Sequence, residues 1–189
     1  MYQGTHRDLN DKLKPRSGFI YDVVMRGLDS SFWKAISGTV TVSSNKLRFN
    51  ADVAGSYTQF KFGKFEFAVN VPTTPSSGEA KKWGLLNPSN VAAGSAYFEI
   101  AGAVFKAVSY DNDGNAESTT ITWDSWEGEE TSFEIQWEKD YVIFLVAGTV
   151  VATHKTRVGT LAQGLYISNS DSDNTDVGFV KVKDTSMYV

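Results

Sequence analysis

The chain has no cysteine among its 189 residues. Disulfides and thiolate metal sites are excluded, and the fold must hold by burial alone. Histidine is scarce as well. His6 and His154 show neither the Ser or Asp spacing of a triad nor a paired-His metal motif, so nucleophilic and zinc catalysis are not expected. Positive charge is not in excess: 18 Lys and Arg face 22 Asp and Glu, for a net charge of −4. Without a basic stripe to neutralise phosphates, nucleic acid is not expected as a partner. No apolar run reaches the length of a membrane span, so no membrane partner is expected either. The polar start, Met1 to Asp8, is not followed by the apolar core of an export signal, which reads as a chain used outside the general secretory route or already processed.

Aromatic residues are plentiful: 12 Phe, 8 Tyr and 5 Trp, or 13% of the chain. They fall in short alternating runs. Phe65, Phe67, Val69 and Val71 alternate with Glu66, Ala68 and Asn70; Phe133, Ile135 and Trp137 alternate with Glu134 and Gln136. Period-2 alternation predicts strands with one buried and one wetter face. Leu47, Phe49, Ala51 and Val53 read the same way, as one strand. Tyr141 to Val146 is apolar throughout and reads as a strand buried on both faces, with Ala147-Gly148 as the turn into Thr149 to Ala152. Late strands are expected at Leu165 to Ile167 and Phe179 to Val182. The prediction is an all-β, two-sheet antiparallel jelly-roll sandwich over 35–189, preceded by an N-terminal arm over 1–34. The arm mixes charges, with Arg7, Lys12, Lys14 and Arg16 as its candidate assembly contacts. Ile20, Val23, Val24 and Leu28 fit one side of a short helix there; a strand or loop packed on the sandwich fits as well.

Several stretches resemble the laminarinase-type glucanases (glycoside hydrolase family 16), which are concanavalin A-like jelly rolls. The most specific is Phe62-Gly63-Lys64-Phe65-Glu66 running to Pro72. Lys82-Trp83-Gly84-Leu85-Leu86 is similar to the next strand, which carries a groove tryptophan. Phe133-Glu134-Ile135-Gln136-Trp137 with Tyr141 to Val151 resembles a family hairpin, and Gly178 to Val182 the closing strand. The likeness runs over about 35–185 in pattern and order. In that family two glutamates on one strand cleave the glycosidic bond. Here Tyr97 to Phe105 takes that place and retains Glu99, while Ala101 and Ala103 or Val104 stand at the other positions. Retaining hydrolysis needs two carboxyl groups about 5–5.5 Å apart. The resemblance therefore implies a protein that is not an enzyme. The family's calcium site uses an Asp where Gly178 stands, so it is not expected to be inherited.

Trp83, Trp123 and Trp126, with Glu99, are the candidate carbohydrate-binding residues, because sugar C–H faces pack on aromatic planes; core packing is the alternative for each tryptophan. Asp111, Asp113 and Glu117 have the oxygen spacing of a calcium loop, though an ordinary hairpin turn accounts for them better. Asp171, Asp173 and Asp176 read likewise. No cofactor is expected beyond that possible calcium. Two functions remain open. One is a structural protein on a virion surface, a capsid decoration or tail-associated protein whose partners are capsid or tail subunits. The other is an extracellular carbohydrate-binding module derived from a glucanase, whose partner is a polysaccharide, with an active glycosidase trailing both.

Overall fold

The structure is a computed structural model that describes residues 21–24, 33–38, 40–44, 46–70, 78–86, 90, 92–122, 128–183 and 186–188. The described residues contain no helix, and hence none long and apolar enough to cross a membrane. Sixteen strands follow in chain order: β1 (Tyr21–Val24), β2 (Trp33–Ser37), β3 (Thr41–Ser43), β4 (Lys46–Phe49), β5 (Val53–Lys61), β6 (Gly63–Asn70), β7 (Ala80–Leu86) and β8 (Ala96–Ala101), then β9 (Val104–Tyr110), β10 (Ala116–Ile121), β11 (Glu130–Trp137), β12 (Val142–Val146), β13 (Thr149–His154), β14 (Gln163–Asn169), β15 (Thr175–Lys183) and β16 (Ser186–Tyr188).

All pairings are antiparallel. One sheet has the order β13-β12-β11-β6-β15-β4-β3, with β1 also on β15. The other has the order β10-β9-β8-β7-β14-β5-β16, with β2 also on β5. The predicted two-sheet jelly roll is therefore what forms. Alternation supplies its core. Phe65, Phe67 and Val69 of β6 and Phe133, Ile135 and Trp137 of β11 face Trp83 and Leu85 of β7 and Phe98 and Ile100 of β8. Trp83 meets Phe133 edge-on at 4.8 Å and stacks near Phe98 at 6.0 Å, so the aromatic rings knit the two sheets together. Burying one such side chain contributes about 1.5–3 kcal/mol.

Three local expectations change, and one open alternative is decided. Leu47 to Val53 is not one strand. The chain leaves the first sheet after Phe49, passes through Ala51 at φ 53, and enters the second sheet at Val53; the Asp52 carboxylate accepts the Asn50 N–H at 3.0 Å and closes that corner. Tyr97 to Phe105 is a hairpin, β8 and β9 joined at Gly102-Ala103, because Gly102 takes a left-handed φ of 55. On β12, Ile143 and Leu145 are only half-buried, since the sandwich covers a single face of this sheet. Tyr21–Val24 is a strand on β15, with Tyr21 opposite Val182, and not a helix. Arg7, Lys12, Lys14 and Arg16 lie outside the described residues.

Candidate functional site

The outer face of the second sheet is built from two neighbouring rows of residues, each crossing several strands in register. One row runs Ser118, Val108, Tyr97, Gly84, Tyr166, Gly55 from β10 to β5. The next runs Thr120, Lys106, Glu99, Lys82, Ser168 from β10 to β14. The first row alternates tyrosine with glycine. Gly84 has no room for a side chain: a Cβ there would lie 2.6 Å from both the Ala96 carbonyl oxygen and the Tyr97 Cα. The bare backbone lets β7 and β8 approach closely.

Tyr97, Leu86 and Val108 form a small apolar cluster on this face, separate from the main core, with Tyr110 and Tyr166 packed on it and partly open to solvent. Tyr97 is the base, 2% exposed, its ring stacked on Tyr110 at 6.3 Å. Burial, and then a hydrogen bond with the Tyr110 hydroxyl, push the Tyr97 phenol well above its ordinary range. It therefore stays protonated and neutral. Beside this floor, Lys82 Nζ lies 2.9 Å from Glu99 Oε1 and 5.4 Å from the centre of the Tyr97 ring. The Glu99 side chain is 18% exposed, so it is reachable from solvent while held by Lys82. Among the described residues Glu99 is the one carboxylate in these two rows. The face thus offers the partly open rings and hydroxyls of Tyr110 and Tyr166 and one positioned carboxylate, which together suit a polyhydroxylated ligand.

Of the sequence-predicted residues, Glu99 is here and Trp83 is not. Trp83 is fully buried between the sheets, opposite Phe98 in the β7–β8 ladder, and its indole N–H has no acceptor among the described residues. Its neighbours Lys82 and Gly84 take the outer positions, and strand alternation leaves the inner one to Trp83. Trp123 and Trp126 lie outside the described residues. Trp137 is core as expected, donating its N–H to the Gly159 carbonyl at 2.9 Å. Leu86, Tyr97 and Tyr166 were not singled out by sequence reasoning. The usable signal was Lys82-Trp83-Gly84, where a glycine one place after a tryptophan marks the face opposite to it.

The acidic candidates are engaged by donors of the chain itself. Asp111 Oδ1 accepts the N–H groups of Asp113 at 3.0 Å and Asn115 at 2.8 Å, and Oδ2 accepts Arg157 Nη1 at 2.9 Å. Hydrogen bonds, first from the Asn115 side chain, hold the Asp111 carboxyl down to about 2. Glu117 caps the N–H groups of Thr156 and Arg157. Asp176 is bidentate with Arg48 at 2.8 Å to each oxygen. Lys81, fully buried, lies 4.0 Å from Asp171 Oδ2 and donates to the Asp173 carbonyl at 3.4 Å. Among the described residues no group of three or more acidic or histidine side chains converges as a metal site.

One pairing had no sequence signal at all. His154 Nδ1 lies 2.8 Å from Ser109 Oγ and Nε2 lies 3.0 Å from Thr119 Oγ1. The Ser109 hydroxyl donates its single proton to the Arg157 carbonyl at 2.7 Å, so Nδ1 carries the hydrogen and Nε2 accepts from Thr119. Ser109 is fully buried. This is a structural clasp between β9, β10 and β13, not a nucleophile.

No family model and no curated sequence matches the chain. Solved structures do. It is similar to the Crh5 transglycosylase (TM-score 0.73, 16% identity, covering 87% of this chain and 83% of that one). It is similar to the Bacillus licheniformis β-glucanase (0.72, 10%, 87% and 97%) and to the laminarinase catalytic domain from Thermotoga maritima MSB8 (0.72, 11%, 89% and 99%). These neighbours overturn the expectation of a protein that is not an enzyme, because they are by name glucanases and a transglycosylase. The fold alters only part of its ground: β8 ends at Ala101 and the chain turns back, so Ala103 falls in the turn and Val104 on β9, while Ala101 stays on β8 on the same face as Glu99. At these identities the likeness concerns architecture, and on that ground the chain has the concanavalin A-like jelly roll of the family 16 glucanases.

Proposed function

We propose that this protein binds a polysaccharide of the β-glucan type on the outer face of its second sheet. The observation that carries the reading is the row Tyr97, Gly84, Tyr166, Gly55. Tyr110 and Tyr166, half-buried on the Tyr97 floor, give flat ring surfaces on which a sugar can pack. Lys82 and Glu99, one row away, supply a donor and an acceptor for hydroxyl groups. The glucanase neighbours support the same partner class, and nothing in them supports a capsid or tail assembly.

Titration calorimetry with laminarin and lichenan tests it. The protein binds at least one of them, and Tyr166→Ala weakens that binding about tenfold, the loss of roughly 1–1.5 kcal/mol of ring contact. A protein that binds neither glucan sinks the reading.

A second reading, cleavage or transfer of the bound chain, is favoured by the names of the neighbours and by the position of Glu99. In it the Glu99 carboxylate attacks the anomeric carbon while the leaving sugar oxygen takes a proton from water, and a second water then hydrolyses the glycosyl ester. Release of reducing ends or transfer to a labelled acceptor, abolished in Glu99→Gln with binding retained, is the expected sign. Products unchanged in that variant exclude Glu99 from the chemistry.

A further inference from the structure

The ladder between β5 and β14 is interrupted beside the tyrosine row. Gly55 faces Tyr166 and Gln59 faces Gly164, so four residue steps on β5 oppose two on β14. The excess is a bulge, and it is held. Ser56 Oγ accepts the Leu165 N–H at 2.8 Å and donates to the Thr58 carbonyl at 2.6 Å, replacing ladder hydrogen bonds that the bulge removes. Gly164 makes room for it, since a Cβ there would approach the Ser56 carbonyl oxygen to 3.2 Å. At the crest sits Tyr57, 60% exposed, more than any other large hydrophobic side chain among the described residues. It makes no ring contact or hydrogen bond with another described residue. Bulges re-aim side chains near functional sites. A hydroxyl clasp and a compensating glycine spent on displaying one ring argue for a ligand.

We infer that Tyr57 is an outlying sugar-binding position, continuous with the tyrosine row, and that the ligand is an extended chain lying across the strands. This rests on the polysaccharide reading above. Tyr110 on β9 and Tyr57 on β5 are four strand spacings apart, about 19 Å. A ligand touching both is longer than a disaccharide. The sugar unit over Tyr57 contributes only when the chain is long enough to reach it.

The test is calorimetry of the full chain against a ladder of β-1,3-linked gluco-oligosaccharides, disaccharide through hexasaccharide. In the wild type, affinity keeps rising to the longest member. In Tyr57→Ala it stops rising early: the hexasaccharide is bound about tenfold more weakly than by wild type, and the disaccharide equally well. Tyr57→Phe keeps the wild-type profile, because the ring is the contact. If Tyr57→Ala matches wild type at every length while Tyr166→Ala weakens binding, this inference fails and the polysaccharide reading stands. If the wild type binds no member of the ladder and no glucan polymer, both fail.

Discussion

The two outer faces of the sandwich are made from the same kind of strand and present different surfaces. Across the first sheet, one row reads Leu145, Glu134, Glu66, Lys181, Asp22. Two of its carboxylates accept from side chains beside the row: Ser132 Oγ donates to Glu66 Oε1 at 2.8 Å and Gln136 Nε2 to Glu134 Oε1 at 2.7 Å. Across the second sheet, the equivalent row reads Val108, Tyr97, Gly84, Tyr166, Gly55. A face meant only for water has no need of a buried tyrosine or of glycines in mid-strand. Glycine in a strand interior weakens it, and Gly84 is needed here because a Cβ would meet the Ala96 carbonyl oxygen of β8 at 2.6 Å.

The comparison predicts unequal responses to mutation, beginning with the core both sheets share. Trp83→Ala destabilises the protein by about 3–5 kcal/mol in denaturant unfolding, the largest effect expected, because the ring touches Phe98, Phe105 and Phe133. A loss under 1 kcal/mol would return Trp83 to the groove.

Leu86→Ala, on the outer face of the second sheet, costs about 2–3 kcal/mol although it lies outside the main core, since Leu86 is buried with Tyr97 and Val108. An equally small cost at Leu86 and at a charged residue of the first sheet would erase the distinction between the faces.

The histidine clasp gives the pH dependence. Burial holds the His154 imidazole below its usual 6.5, against the opposing pull of the Glu117 carboxylate. Above that value the ring is neutral folded or unfolded and contributes no slope. As pH falls through about 6.5 the unfolded chain takes a proton that the folded one resists, so stability falls. Melting temperatures between pH 7.5 and 5 therefore decline in the wild type and decline less in His154→Gln. Identical slopes would show that folding leaves the affinity of His154 for its proton unchanged.

The smallest effect belongs to the first sheet's outer face. Glu66 and Glu134 face each other across the β6–β11 ladder. Like charges directly opposite repel, so Glu134→Gln is neutral or stabilising by about 0.2–0.5 kcal/mol, an effect that shrinks in salt. A loss above 1 kcal/mol would show this face to be more than a solvated wall.

Much of the architecture was readable in the residue order. The alternating runs of Phe65 to Val69 and Phe133 to Trp137 give strands and name their inner side, because a period of two sorts residues between two faces. Ala147-Gly148 announced its hairpin and does take left-handed φ values of 49 and 77. The site was only partly readable. Glu99 does lie on the outer face of the second sheet, whereas Trp83 takes the core alternative and Tyr97 was placed on a strand carried too far.

What the residue order determined by itself was the all-β class, most of the strands and the aromatic core, since each follows from local periodicity and turn chemistry. What only the tertiary structure decided was which face of the second sheet is the floor, that Lys81 is buried against Asp171, and that Ser109 meets His154 across 45 residues. The physical reason is that alternation yields two faces without saying which will be covered. That depends on the strand opposite, and on chain segments that arrive from far along the sequence.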